Sequence, residues 1–135
     1  MGMKLETTST AGSRIALVIG WLISAIPILM MGVGATIMLA TSSKTVAKGL
    51  VQHGYPPHLA TTILLLEIGC TLIYAIPQTA FLGAILLTGY LGGATATHVR
   101  VEETQWIFPV TFGIFVWLGL FLRDKRLRAL LPIRK

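Results

Sequence analysis

Four apolar stretches joined by short polar connections make up most of this chain, and together they hold one charged residue, Glu67. The first, Ile15 to Ala40, runs 26 residues without a charge, where a helix needs about 20 to cross a bilayer. Pro27, near its middle, predicts a kink, because the proline ring clashes with the preceding turn and removes a hydrogen-bond donor. The stretch is too long for a cleaved signal peptide, whose apolar region spans about 7 to 15 residues. Leu59 to Ile76, 18 residues, and Gln78 to Thr97, 20 residues, flank Pro77, which predicts a tight turn between antiparallel helices. A single kinked helix is the alternative, but the 30 uncharged residues from Ile68 to Thr97 exceed one crossing. The fourth stretch, Trp106 to Leu122, has 17 residues, the lower limit for a span, with Trp106 and Trp117 as interfacial anchors.

Between the first two spans, Ser43 to His53 places Val46, Ala47, Leu50 and Val51 on one helical face and turns Lys44, Lys48 and Gln52 away. That pattern predicts a short amphipathic helix lying along the outer membrane interface. Gly54 suits its C-terminal cap, Tyr55-Pro56 stops it, and Pro57 can open the next helix. The predicted fold is therefore all-α: a single-domain integral membrane four-helix bundle over residues 1–135, with an interfacial amphipathic helix between the first and second spans. Short tails are expected at 1–14 and 123–135.

Composition agrees, with 54% hydrophobic and only 12% charged residues against about 25% charged in soluble domains. The net charge of +6 reads as orientation. Lys4, Arg14, Arg123, Lys125, Arg126, Arg128, Arg134 and Lys135 fall on one side of the four spans, and only Lys44, Lys48 and Arg100 on the other. Because positive flanks stay cytoplasmic, both termini are expected inside. Nucleic acid is not an expected partner, since the basic residues crowd into a short tail instead of an aromatic-bearing surface. The lone Cys70 excludes an intrachain disulfide, a CxxC pair and a multi-thiolate metal site. Glu6 stands where a myristoylation signal needs Ser or Thr.

Candidate chemistry centres on Glu67, near mid-bilayer, where a charged carboxylate costs about 2.5 to 3.5 kcal/mol. It must face the bundle or be protonated. Cys70, Thr71 and Tyr74 follow at helical spacing on the same face. Such a stripe fits a ligand or proton site, or else a protonated Glu67 joining two helices by one hydrogen bond. His98 and Arg100, followed by Glu102 and Glu103, close the third span, with His98 expected about 10 to 15 Å from Glu67 along the membrane normal. They fit a proton relay or a simple anchor for the helix end. His53, Tyr55 and His58 fall in the same outer layer. No histidine spacing such as HxxxH marks a metal site, and none is predicted. The small residues of Gly89 to Thr97, with Gly89, Gly93 and Thr97 four apart, predict close helix packing within the chain or between copies. No phosphate-binding loop is present, because no Gly-Lys-Ser/Thr follows.

The string from Gly54-Tyr55-Pro56-Pro57 through Leu66-Glu67 and Ile76-Pro77 to Gly83 through Ala94, then Thr97-His98-Val99-Arg100, resembles the DoxX-like family of small bacterial four-helix membrane proteins. The closing Leu122-Arg123-Asp124 and Arg126-Leu127-Arg128 are similar too. The resemblance implies a bacterial inner-membrane location. It puts forward Glu67, Tyr90, His98 and Arg100 as matched positions, and it suggests a partner of a redox complex, since the family takes its name from a subunit of an archaeal thiosulfate:quinone oxidoreductase. The expected function is an accessory subunit or binder of a hydrophobic molecule, quinone or lipid, linked to envelope redox processes. The candidate ligand-binding residues are Glu67, Thr71, Tyr74, Tyr90, His98 and Arg100, with Tyr74 and Tyr90 lining the pocket. Expected partners are membrane lipids, a redox enzyme subunit or a second copy of the chain. The alternatives are a membrane oxidoreductase acting on quinone, for which no haem, flavin or iron-sulfur ligand set is visible, and a small transporter.

Overall fold

The first apolar stretch changes helical pitch just after Pro27. In the computed structural model, which describes residues 3–130 with side chains from residue 11 onward, helix α1 (Met3–Pro27) runs into a π-helical segment (Ile28–Val33) and then α2 (Gly34–Thr41). The helix continues through Pro27 without ending, and its wider turns begin one residue after the proline. Because α1 starts at Met3, the predicted N-terminal tail is helical from residue 3 on. Expectations resting on Lys4, Glu6, Arg134 and Lys135 lie outside the residues so described.

The rest of the chain folds as α3 (Ser43–Gln52), α4 (Leu59–Ala75), α5 (Ala80–Arg100), a 3-10 turn (Thr104–Trp106), α6 (Ile107–Arg123) and a short α7 (Lys125–Leu130) within the predicted C-terminal tail. Asp124 caps α7, its Oδ1 accepting from the Arg126 N–H at 2.8 Å. Three helical runs are long and apolar enough to cross a membrane: Ala11–Thr41, Ala80–Arg100 and Thr104–Arg123. Helix α4 is equally apolar but shorter, at 17 residues. Ile76 is extended and Pro77 sits in the turn that follows, so α4 and α5 are separate helices, as the sequence predicts.

Helix α1 packs along α6, α5 lies between α4 and α6, and the π segment with α2 closes the ring against α4. Large apolar side chains such as Leu22, Leu29, Met30, Leu72, Phe108 and Ile114 point outward and stay exposed. In water so much contiguous apolar surface is untenable, and in lipid it is the expected exterior. The chain is thus an all-helical integral membrane protein. Beside the bundle, α3 turns Val46, Ala47 and Leu50 inward and leaves Lys44, Lys48 and Gln52 exposed. Val51, predicted on the apolar face, is exposed, because its position lies at the margin of that face.

The bundle is fastened at the Pro77 end. Tyr74 has no exposed surface, and its hydroxyl donates to the Val116 carbonyl at 2.8 Å while accepting from Ser24 Oγ at 2.9 Å. The Arg123 guanidinium stacks 4.3 Å from the Trp21 ring centre and 4.7 Å from that of Tyr74, and Nη2 donates to the Tyr74 carbonyl at 3.0 Å. Three helices, α1, α4 and α6, thus meet through one tyrosine. Close backbone approach makes room for them. A Cβ at Gly83 would overlap the backbone of Ile73 and Tyr74, and one at Gly20 would come within 2.7 Å of the Arg123 amide nitrogen. A Cβ at Gly119 would collide with Ser24.

Within the chain, the close helix packing predicted for Gly89 to Thr97 falls elsewhere. Nothing lies within 4 Å of a Cβ built on Gly89, Gly92 or Gly93. Gly89 and Gly93 make no close contact with the described part of the chain and Gly92 opens onto the groove between α5 and α6, while Leu87 and Leu91 are the residues of α5 that enter the core. The tight contacts fall instead at Gly83 and at the Gly20/Gly119 crossing.

Two consequences are testable by thermal unfolding in detergent. Gly83→Ala should destabilise the protein by about 1–3 kcal/mol through overpacking, whereas Gly93→Leu leaves the unfolding temperature of the monomer unchanged. Equal losses from both would contradict the assigned faces of α5. Tyr74→Phe should cost about 1–3 kcal/mol, since it removes the buried link to the Val116 carbonyl and takes from the buried Ser24 hydroxyl its Tyr74 partner.

Candidate functional site

The six residues singled out by sequence occupy three separate places. Glu67 is the ninth of the 17 residues of α4 and is half-buried, on the bundle side. Tyr90, facing it from α5, donates its hydroxyl proton to Glu67 Oε2 at 2.8 Å. No described residue donates a hydrogen bond to the second oxygen. Thr71 is buried, and its hydroxyl is spent within the helix, donating to the Glu67 carbonyl at 2.7 Å. Its methyl abuts Gly32 in the π segment. Tyr74 belongs to the sealed junction at the Pro77 end, about 10 Å along α4 from Glu67 at 1.5 Å per residue. It lines no space open to a ligand.

Two lipid-facing grooves flank this middle layer. The larger, about 660 Å³, runs between α5 and α6 past Thr88, Leu91, Gly92, Gly113, Trp117 and Phe121. Its polar feature is one internal bond, from Trp117 Nε1–H to Thr88 Oγ1 at 2.8 Å. The smaller, about 250 Å³, lies between the π segment and α4 and includes Gly32, Ile68 and Thr71. Glu67, Tyr74 and Tyr90 line neither.

His98 and Arg100 sit at the opposite end from Pro77, where two helix ends meet. Helix α3 closes with Gly54 at φ 78°, its N–H bonded to the Val51 carbonyl and that of Tyr55 to the Leu50 carbonyl. This is the paired capping pattern that a left-handed residue permits, and it uses Gly54 as predicted. Helix α5 ends the same way, with Glu102 N–H on Val99 and Glu103 N–H on His98. Here the left-handed residue is Glu102, at φ 59°.

That second turn swings Glu103 back over its own helix. Its Oε2 stands 2.8 Å from His98 Nδ1 and 2.9 Å from His53 Nε2. His53 Nδ1 in turn donates to the Gly49 carbonyl at 2.7 Å, and the two imidazoles meet edge to face, 5.1 Å apart. Arg100 donates to the His53 carbonyl and stacks 5.5 Å from the Tyr55 ring centre. Tyr55 donates to Thr97 Oγ1 at 2.9 Å, because the Thr97 proton goes to Gly93. The hydrogen bond to Glu103, with that to Gly49, holds the His53 imidazole above its usual pKa, against burial and the Arg100 charge. The hydrogen bonds from His53 and His98 hold the Glu103 carboxyl below its own.

Sequence reasoning placed His53, His98 and Glu103 in one layer without joining them. His53 and His98 are 45 positions apart, so no local spacing announces the cluster. The one available signal is the pair of helix ends, both predicted on the same side of the membrane.

The DoxX-like family matches residues 22–119, from Leu22 in α1 to Gly119 in α6, which includes both the Glu67–Tyr90 pair and the histidine cluster. Neither a curated protein nor a solved structure matches the chain.

A non-glycine residue in the left-handed region costs about 1–2 kcal/mol, and the Glu102 side chain is exposed. Glu102→Gly should therefore raise stability by about 1 kcal/mol, read as a higher unfolding temperature in detergent. A lower temperature would mean that this side chain has a stabilising role of its own.

Proposed function

The chain belongs to the DoxX-like family, and on that footing we propose that it is a non-catalytic membrane subunit that holds a lipophilic molecule, a quinone or a lipid, against the Glu67–Tyr90 pair. The observation that carries this reading is the state of the Glu67 carboxyl. It lies at the middle of an apolar helix, partly open, with one oxygen bonded to Tyr90 and the other bonded by no described residue. An acid in hydrocarbon is costly and marks a ligand or proton path by default. A quinol or lipid hydroxyl is a donor that such an oxygen accepts, and a quinone carbonyl accepts from the protonated acid.

The groove between α5 and α6 supports the same reading. At about 660 Å³ it falls in the range of small-molecule sites, roughly 300 to 1,000 Å³, and its apolar walls suit an isoprenoid or acyl tail. It runs past Leu91, at the level of Tyr90 on α5, although the Glu67–Tyr90 pair does not itself line it. Within this proposal the protein sits in a bacterial inner membrane with both ends cytoplasmic, in keeping with the basic residues after Leu122. It serves as an accessory to a redox enzyme, supplying or protecting the lipophile.

Trp117 in the groove provides a reporter, since quinones quench indole fluorescence. Titrating the protein in nanodiscs with a short-chain quinone should give saturable quenching. Glu67→Gln or Tyr90→Phe should weaken binding about tenfold, the equivalent of one hydrogen bond, and Trp117→Phe should remove most of the saturable signal. Quenching that rises linearly without saturation, or an unchanged midpoint in Glu67→Gln, would sink the proposal.

A further inference from the structure

His53 is held in one tautomer by its own helix. Its Nδ1 lies 2.7 Å from the Gly49 carbonyl oxygen, which can only accept, so Nδ1 carries the proton. In the neutral ring Nε2 is then a bare lone pair. It points at a carboxylate oxygen of Glu103, itself an acceptor, 2.9 Å away, and His98 Nδ1 converges on that same oxygen at 2.8 Å. Two acceptors this close call for a cation between them, either an added proton or a metal ion.

A carbonyl on the far nitrogen of a histidine is also the usual outer support of a metal ligand, fixing its tautomer and its aim. One ligand atom from each of His53, His98 and Glu103 lies within 4.8 Å of the other two, and all three residues are part-buried. We propose that these three side chains form a site for a divalent transition metal, with Zn²⁺ the ion that suits them, and that the ion fastens the end of α3 to the turn between α5 and α6.

The donor set selects the ion class. Two imidazole nitrogens and one carboxylate oxygen suit a borderline cation such as Zn²⁺, whereas Mg²⁺ and Ca²⁺ take oxygen ligands. Ligands on a tetrahedral Zn²⁺ at about 2.0–2.1 Å stand about 3.4 Å apart. Glu103 therefore has to draw back by roughly half an ångström from each nitrogen, and its side chain, 37% exposed on a connecting turn, has the freedom to do so. Three protein ligands leave a fourth position for water. Arg100 brings a positive charge nearby, but its guanidinium is engaged by the His53 carbonyl and the Tyr55 ring, and the Glu103 carboxylate offsets it.

The site joins two helix ends that otherwise meet through the Arg100–His53 and Tyr55–Thr97 hydrogen bonds. It stands apart from the Glu67–Tyr90 pair, so the two readings fail or succeed separately.

The test uses the full chain in detergent, stripped with a chelator, incubated with ZnCl₂ and desalted. Elemental analysis should find one zinc per chain, and zinc should raise the unfolding temperature. His53→Ala, His98→Ala and Glu103→Ala should each weaken uptake by at least tenfold, whereas His58→Ala, at an exposed position outside the cluster, leaves it unchanged. A second readout needs no variant: zinc should shield His53 and His98, but not His58, from acylation by diethylpyrocarbonate, followed by mass spectrometry. No zinc retained by the wild type, uptake that survives in the His53→Ala/His98→Ala double variant, or equal labelling of all three histidines with and without zinc would overturn the site.

Discussion

The Tyr74 hydroxyl is the point through which the helices of this bundle are bound together. It is sealed from solvent, accepts a hydrogen bond from Ser24 on α1 and donates one to the Val116 carbonyl on α6, while its own backbone carbonyl accepts one from Arg123. In lipid, apolar side chains gain little by leaving their surroundings for one another, so helix association rests on close van der Waals contact and on polar links of this kind. Both are present in one layer. Gly83 lets α5 lie against the backbone of Tyr74, and Gly20 with Gly119 brings α1 and α6 together beside Ser24.

The remaining polar groups follow from that anchoring. With the Pro77 end closed by packing, the layer of Glu67 is looser: one carboxylate–phenol bond links α4 to α5, and grooves open on either side. At the far end the contacts are polar, some between side chains, as with Glu103 on His53 and His98, and some to backbone carbonyls, as with Arg100 on His53 and His53 on Gly49. The molecule thus grades from a sealed, tightly packed end to a polar, solvent-facing one.

Much of this was legible in the residues. The length and apolarity of each stretch predicted the helices, Pro77 predicted the turn, and Gly54 predicted the cap of α3, because each depends on local stereochemistry. That Glu67 must face the bundle or be protonated followed from the cost of a carboxyl in hydrocarbon, and its side chain reaches Tyr90 on the bundle side. What could not be read was pairing between distant positions. Tyr74 looked like a member of the Glu67 stripe because it shares a helical face, but its partners come from Ser24 and Val116, 50 and 42 positions away. The glycines after Gly89 looked like a packing face because small residues at four-residue spacing are ambiguous about which side of the helix meets a neighbour. In α5 that side is marked by Leu87 and Leu91. The junction of His53 with Glu103 needed the left-handed turn at Glu102, a conformation that the glutamate itself gives no reason to expect.

The π segment after Pro27 bears on how so small a bundle closes at all. A regular helix advances about 100° per residue, so a straight first span presents one fixed stripe along its whole length. Here the stripe changes bearing partway: Gly20 and Ser24 address α6, while Met31 and Ala35 enter the core on the side where the π segment and α2 meet α4. One helix therefore serves two neighbours in succession, much as a twisted strap can grip two posts. Shortening that segment by a single residue would re-aim everything after it by about a quarter of a turn, leaving the second half of the helix facing lipid with its packing surface.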